Sequence, residues 1–254
     1  MKLKDLEQYI RSLFNTSCNK KFDEESGITV RASEDIKRIG YCTNLNLHTI
    51  EGARKNDINL MITHHDAWDF IYGLKDVCRE KLLKYNISHY YNHLPLDDCD
   101  FGTNNSLAKK LGLEIIEKSN EEDGFYCGRI TEFQQPMSFG KLIEKLESIL
   151  QEPVKAWKFK DGDIKKVGLV CGGGSLTDDV KAAVDKECDV YITGEKTLYT
   201  IEYAQFKGIN LIIGSHTFTE IFGVESLAKK IKERFNDIEI IQLQEEHLEA
   251  NFYK

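Results

Sequence analysis

Two adjacent histidines, His64 and His65, close an apolar run that reads Ile58-Asn-Leu-Met-Ile-Thr-His-His65. A near copy, Ile209-Asn-Leu-Ile-Ile-Gly-Ser-His216, closes on a third, and Glu220 follows four residues later. Runs this short, apolar and rich in β-branched residues read as buried strands. Ligands in open α/β sheets sit at the carboxyl ends of such strands. Imidazoles delivered there from two distant parts of one chain point to a metal centre. The remaining donors are expected to be carboxylates, which can bridge two ions. Glu220 is one turn from His216, and Asp97 and Asp98 follow a third strand near His93. Imidazoles with bridging carboxylates suit Zn, Fe or Mn, and suit Mg poorly.

Each residue also has a plainer reading. Side chains of neighbouring strand residues point in opposite directions. If the strand runs through both, His64 and His65 serve two ions, or one ion and one supporting role, better than they chelate one. Paired histidines at a strand end also serve as hydrogen-bonded rim residues. Thr217-Phe-Thr-Glu220 has the form of a capping box, in which Glu220 only closes a helix start. Asp97 and Asp98 fit a turn. Gly172-Gly-Gly-Ser175, between a strand and a helix, has the look of a phosphate cradle. It lacks the Lys-Ser/Thr ending of a Walker loop, and a tight turn for close packing is the preferred reading.

The elements that position these residues alternate. Helices are expected over Leu3–Phe14, Leu47–Lys55, Lys75–Tyr85, Asn104–Leu111 with Gly112 as stop, Ser138–Leu150 with Ser138 as cap, Thr200–Phe206 and Glu220–Phe235, and another is expected after the Gly172 loop. Strands are expected at Ile28–Val30, Arg38–Cys42, Ile58–Ile62, Ile87–Tyr91, Phe125–Ile130, Asp189–Ile192 and Ile209–Ile213. Val154–Phe159 and Lys165–Cys171, around Lys160-Asp-Gly-Asp163, suggest a hairpin or strand pair. Alternation of this kind predicts an α/β fold with mainly parallel sheets. The likeness of the segments at Ile58, Asp189 and Ile209 fits two related lobes, over 1–125 and 126–254 with the metal site between them, and equally fits chance convergence on the composition of buried strands.

Composition narrows the function classes. The chain has 254 residues and a net charge of -8, which argues against a nucleic-acid partner because phosphate contacts need a basic face. No apolar stretch approaches the roughly 18 residues that span a bilayer, so no membrane association is expected. The N-terminus reads as an amphipathic helix, not as a signal peptide. Seven scattered cysteines without a Cys-x-x-Cys suggest reduced thiols and a cytoplasmic location.

Several segments taken together resemble a known family. They are Ile62-Thr-His-His65; His93-Leu-Pro-Leu-Asp97 with Asn104-Asn-Ser-Leu-Ala-Lys-Lys-Leu-Gly112; Ile192-Thr-Gly-Glu195; and Ser215-His-Thr-Phe-Thr-Glu220. Their order and spacing are similar to those of the GTP cyclohydrolase 1 type 2 homolog family, also called NIF-three-like, along essentially the whole chain. The resemblance implies two α/β lobes and two divalent ions per chain held by His64, His65, Asp97, His216 and Glu220. It places His93 near the metals, in a supporting or proton-transfer role. It also implies a ring-shaped homohexamer, a trimer of dimers, acting on a small molecule of the nucleotide kind. Three positions depart from the pattern. Asp66 stands where many members have proline, Ser215 replaces the usual glycine, and no histidine follows Gly194-Glu195. The chain matches the short form of the family.

Metal-dependent hydrolysis is the expected chemistry, with ring opening of GTP the activity the family name implies. Two alternatives remain at this stage: a non-catalytic metal-binding or scaffold protein, and a two-metal phosphoesterase.

Overall fold

The computed structural model describes residues 1–14 and 21–250; Cys18 lies outside them. The chain divides into two compact units, Met1–Phe101 with Val224–Glu246, and Gly102–Gly223 with His247–Lys254.

The first unit is built on a five-stranded sheet. Its strands are β1 (Ser26–Val30), β2 (Arg38–Asn44), β3 (Leu60–His65), β4 (Ser88–Asn92) and, late in the chain, β11 (Glu239–Gln242), in the order β1-β4-β3-β2-β11. All neighbours are parallel except the β1 edge. Helices α1 (Leu3–Leu13), α2 (Phe22–Glu25), α3 (Leu47–Lys55), α4 (Leu74–Lys84) and the single turn α5 (Leu94–Asp98) complete it. Helix α3 starts on a reciprocal cap: Asn46 Oδ1 accepts from the Thr49 amide at 3.0 Å, and Thr49 Oγ1 from the Asn46 amide at 3.1 Å. Parallel crossovers bury both faces of the central strand, and all six residues of β3 are buried, both histidines included.

The second unit carries α6 (Thr103–Leu111), β5 (Leu113–Glu122), β6 (Phe125–Met137), α7 (Phe139–Leu150), β7 (Lys155–Trp157), β8 (Ile164–Val170), α8 (Thr177–Asp185), β9 (Val190–Thr193), α9 (Leu198–Lys207) and β10 (Asn210–Ile213). Its sheet runs β5-β6-β8-β9-β10-β7, with a parallel trio β8-β9-β10 flanked by antiparallel strands. Leu142, Leu146 and Leu150 of α7 and Leu107 and Leu111 of α6 pack with Val167, Leu169 and Ile192 of the sheet as one core. Gly112 ends α6 in the left-handed region at φ 73°, as expected of a C-terminal glycine. The last helix, α10 (His216–Arg234), contains the boundary between the units, at Gly223/Val224.

The mixed α/β architecture with two sheets agrees with the sequence, and most elements lie within a few residues of expectation. The hairpin does not. β7 pairs with β10, and β8 with β6 and β9. The connection is held instead by side chains of the neighbouring strands. Asn210 Oδ1 accepts from the amides of Phe159 and Lys160 at 2.8 and 2.9 Å. Asp189 Oδ2 accepts from those of Lys165 and Lys166 at 3.0 and 2.9 Å. Two strands also went unread, β5 and β11. Both are edge strands: most residues of β5 are exposed and most are polar or charged, and β11 is only four residues long, with Ile240 and Ile241 partly buried between exposed Glu239 and Gln242.

One buried polar group ties this fold to pH. His89 of β4 is fully buried between two threonines. Thr63 donates its hydroxyl proton to the His65 carbonyl at 2.7 Å, so its oxygen accepts from His89 Nε2 at 2.7 Å. Nδ1 then accepts the Thr29 hydroxyl at 2.5 Å. Burial, reinforced by Lys75 and opposed by Asp66, lowers the imidazole pKa from 6.5 to about 4. The unfolded chain therefore binds a proton that the folded chain refuses between those values. Stability is full above pH 6.5 and falls as pH drops toward 4, by roughly 3 kcal/mol from this group. Denaturant unfolding of the wild type and His89→Gln between pH 4 and 7 should show a shallower pH slope in the variant; equal slopes would remove His89 as the cause.

Candidate metal centre

In the first unit the candidate ligands gather where β2, β3 and β4 end. The rings of His64 and His65 have centroids only 4.5 Å apart, although strand alternation predicts that they diverge. Hydrogen bonds to the two flanking strands account for this. His64 Nδ1 bonds the Asn92 carbonyl at the end of β4, at 2.8 Å. His65 Nδ1 bonds Asn44 Oδ1 at the end of β2, at 2.9 Å, and Asn44 is the residue paired with His65 in the β2–β3 register. Each ring is drawn sideways over the sheet edge instead of away from its neighbour. His93, just past β4, joins them with ring centroids 5.2 and 5.3 Å from the pair, and its Nδ1 bonds Glu25 Oε2 at 2.8 Å.

These contacts set the tautomers. A carbonyl or carboxylate oxygen only accepts, so the Nδ1 atoms of His64 and His93 carry the proton. Asn44 donates its amide nitrogen to Glu245 Oε1 at 3.1 Å, which leaves its oxygen facing His65 with the same result. In all three neutral rings the lone pair therefore resides on Nε2. One ligand atom from each of the three histidines fits within a span of 4.8 Å, close enough for a shared ion. Asp97 lies on α5, which begins at His93, and is buried, with Oδ1 3.4 Å from His64 Nε2. Asp98 is partly exposed. The Trp68 ring lies against His65, tilted by 37° with centroids 4.4 Å apart.

In the second unit the ligands again gather at the carboxyl ends of parallel strands. Residues 171–175 follow β8, Glu195 follows β9, and Gly214-Ser215-His216 follows β10. Helix α10 begins at His216, and the Ser215 hydroxyl accepts from the Phe218 amide at 3.1 Å. Ser215 is thus the cap that a glycine could not supply. This start excludes the capping box read at Thr217, and Glu220 lies inside the helix. Its side chain is buried and folds back to the ring of His216, with Oε1 3.4 Å from Nε2. His216 Nδ1 bonds Glu195 Oε1 at 2.6 Å, another carboxylate that orients an imidazole.

Burial opposes charge on His216, but Glu220 and Glu195 outweigh it and push its pKa up to about 11. The Glu195 carboxyl is lowered in return, chiefly by its hydrogen bond to His216. A pair of carboxylates that draws positive charge onto an imidazole is an environment suited to a cation.

The glycines after β8 serve this geometry. Gly172 has φ +68°, and a Cβ there would lie 1.8 Å from Glu220 Oε1 and 2.9 Å from His216 Nε2. Its amide donates to Thr219 Oγ1 at 2.9 Å, and its carbonyl accepts from the Gly194 amide at 3.0 Å. At the start of α8, the Leu176 amide is already taken by Asp179 Oδ2 at 2.9 Å, a carboxylate where a phosphate would have to sit. The loop is a turn for close approach. Asp66 bonds Lys75 and its own following amide, a structural use that fits its departure from the family's proline.

The supporting residues Asn44, Asn92, Glu25 and Glu195 were assigned no role from sequence. Asn44, Asn92 and Glu25 carry no local signal, Glu195 stands out only as the end of the Ile192-Thr-Gly-Glu195 segment, and all four lie 21 to 68 positions from their partners.

The model of the Duf34/NIF3 (NGG1p interacting factor 3) family matches residues 1–248. A protein of Pyrococcus abyssi described as "GTP cyclohydrolase 1 type 2 homolog" is 31% identical over 216 residues, covering 83% of this chain and 85% of that one. A Haemophilus influenzae protein of the same description is 28% identical, with 84% and 87% covered. Among solved structures, one described as protein ybgI, of unknown function, superposes with a TM-score of 0.85 at 23% identity over 97% of this chain and 99% of its own. Reduced HcgD from Methanocaldococcus jannaschii does so with a TM-score of 0.79 at 25% identity, over 96% and 98%. The chain belongs to the Duf34/NIF3 family.

Proposed function

We propose that this protein is a metal-dependent hydrolase whose centre holds two divalent ions on His64, His65, Asp97, His216 and Glu220. The observation that carries the reading is the common tautomer. His64, His65 and His93 each spend Nδ1 on an oxygen acceptor, and His216 does the same toward Glu195. Nε2 is therefore the atom that His64 and His65 offer a metal, and the atom that His216 would offer once an ion displaces its proton. Metal-bound histidines in proteins are oriented this way, whereas rim histidines that serve only as hydrogen-bonding groups have no need of it. Gly172 adds support, because its missing Cβ admits the Glu220 carboxylate beside His216.

When bound, two Zn, Fe or Mn ions would polarise an electrophile and acidify a water. The chain's own groups do the rest. Asp97 and Glu220 are the carboxylates suited to bridging. His93, hydrogen-bonded to Glu25 and only half-buried, is placed to pass a proton between the reacting molecule and solvent. Trp68, packed against His65, offers an aromatic wall for a flat heterocycle. The relatives' description as GTP cyclohydrolase homologs makes GTP, with release of formate, the first substrate to try. A homohexamer acting on a small molecule, with no membrane or nucleic-acid partner, belongs to the same proposal. No helix among the described residues is long and apolar enough to cross a membrane.

Elemental analysis of untagged protein purified without added metal, with a formate-release assay on GTP, tests the reading. Near two ions per chain with formate is the expected result. Two ions without formate would retain the centre and move the search to phosphoesters. No metal under any reconstitution condition would overturn the proposal.

His216→Ala should lose at least one ion per chain while keeping the wild-type circular dichroism; full metal content in that variant would remove His216 from the ligand set. In Gly172→Ala the new methyl group must displace the Glu220 carboxylate. Metal affinity should fall about 10- to 100-fold, in line with losses on disturbing a metal site's supporting contacts. Unchanged affinity by competition with a chelator would show that Glu220 is not a ligand.

A further inference from the structure

Late in the second unit a single turn, Leu248–Ala250, grips the start of α10. Its leucine does not anchor it, because Leu248 is 76% exposed. Polar and ring contacts hold it, and they fall on the first three residues of the helix. Glu249 Oε1 accepts from the His216 amide at 2.9 Å, and Oε2 accepts from the Thr217 amide at 3.3 Å. The ring of His247 is stacked on Phe218, with centroids 4.0 Å apart and planes at 13°. That ring is itself fixed, because its Nδ1 donates to Glu152 Oε2 at 2.9 Å and the Glu152 side chain is only 1% exposed. The first amides of a helix have no acceptor within it. Ser215 takes that of Phe218, and Glu249 takes the two before it. A carboxylate there also meets the positive end of the helix dipole.

We propose that Glu249 is a positioning residue for the metal centre, 33 positions along the chain from His216. The inference rests on the metal reading above and extends it to a segment that supplies no ligand. Helix ends fray, and His216 stands in the first turn of α10. Its Nε2 comes within 3.4 Å of Glu220 Oε1 one turn on, a meeting that requires residues 216–220 to be helical. By tying down the His216 and Thr217 amides, Glu249 keeps that turn formed and the imidazole beside the carboxylate with which it would share an ion. Coupling of this kind is reciprocal: if the C-terminal turn raises affinity for the ion, the ion stabilises the C-terminal turn to the same extent.

Titration of the metal-free protein with cobalt(II), followed by visible absorption, reads both affinity and the ligand field, and hydrogen exchange on the same samples reads the two turns. In Glu249→Ala, cobalt affinity should fall about ten-fold, as on removal of a supporting contact. The absorption bands of the bound ion should change, and the amides of residues 216–218 should exchange faster. Leu248→Ser, in the same turn but facing solvent, should match the wild type in all three. Saturating cobalt should slow exchange of the wild-type amides at 247–250. Wild-type affinity and bands in Glu249→Ala would overturn the proposal and leave the metal reading intact. An equal loss in Leu248→Ser, or exchange at 247–250 that cobalt leaves unchanged, would do the same. A wild type that binds no cobalt would overturn the metal reading and this inference with it.

Discussion

The candidate centre depends on one constraint, which is that parallel strands end together. In a parallel register the carboxyl ends of adjacent strands share one edge of the sheet, and side chains just past those ends converge whatever their separation in sequence. In the first unit Asn44, His64, His65, Asn92 and His93 all come from such ends. In the second, Gly172, Glu195 and His216 do. An antiparallel arrangement would have sent alternate members of each set to opposite edges. The crossover helices and apolar strands are the means by which the chain maintains this register.

Hydrogen bonding then decides what the imidazoles offer. A histidine ring in water exchanges tautomers freely and turns about two bonds. Here each candidate ring has its orientation and its proton fixed by an acceptor that is itself held in place: a strand-end carbonyl, an amide turned by Glu245, or a carboxylate. This arrangement reduces the conformational freedom lost when an ion binds, and it sets Nε2 as the donor atom. It also explains why adjacent residues of one strand act together. His64 and His65 belong to opposite faces by backbone geometry and are brought side by side by acceptors on opposite neighbouring strands.

Close approach is the other requirement, and glycine meets it. Gly172 and Gly194 stand where any Cβ would strike Glu220, His216 or the backbone beside them. The same loop, read in isolation, has the composition of a phosphate cradle. What distinguishes the two is occupancy of its backbone groups, because Thr219, Gly194 and Asp179 already engage this stretch and the start of α8.

The resemblance of several segments to one family named the histidines and carboxylates proposed as ligands, while the sequence by itself determined the α/β class, most helices and the buried strands. These depend on local or short-period information: apolar runs, caps, glycine stops and the pairing of His64-His65 with Ser215-His216. Tertiary structure decided the rest. It showed that β7 pairs with β10 instead of β8, and that α10 starts early enough to make Glu220 a neighbour of His216 instead of a cap. It placed the edge strands β5, whose residues are mostly exposed and mostly polar, and β11, which is only four residues long. It alone identified Asn44, Asn92, Glu25 and Glu195 as the groups that orient the rings. The physical reason is common to all of these: strand partners and hydrogen-bond acceptors are chosen by which segments meet in space, and a residue's type does not encode which distant backbone or side chain it will meet.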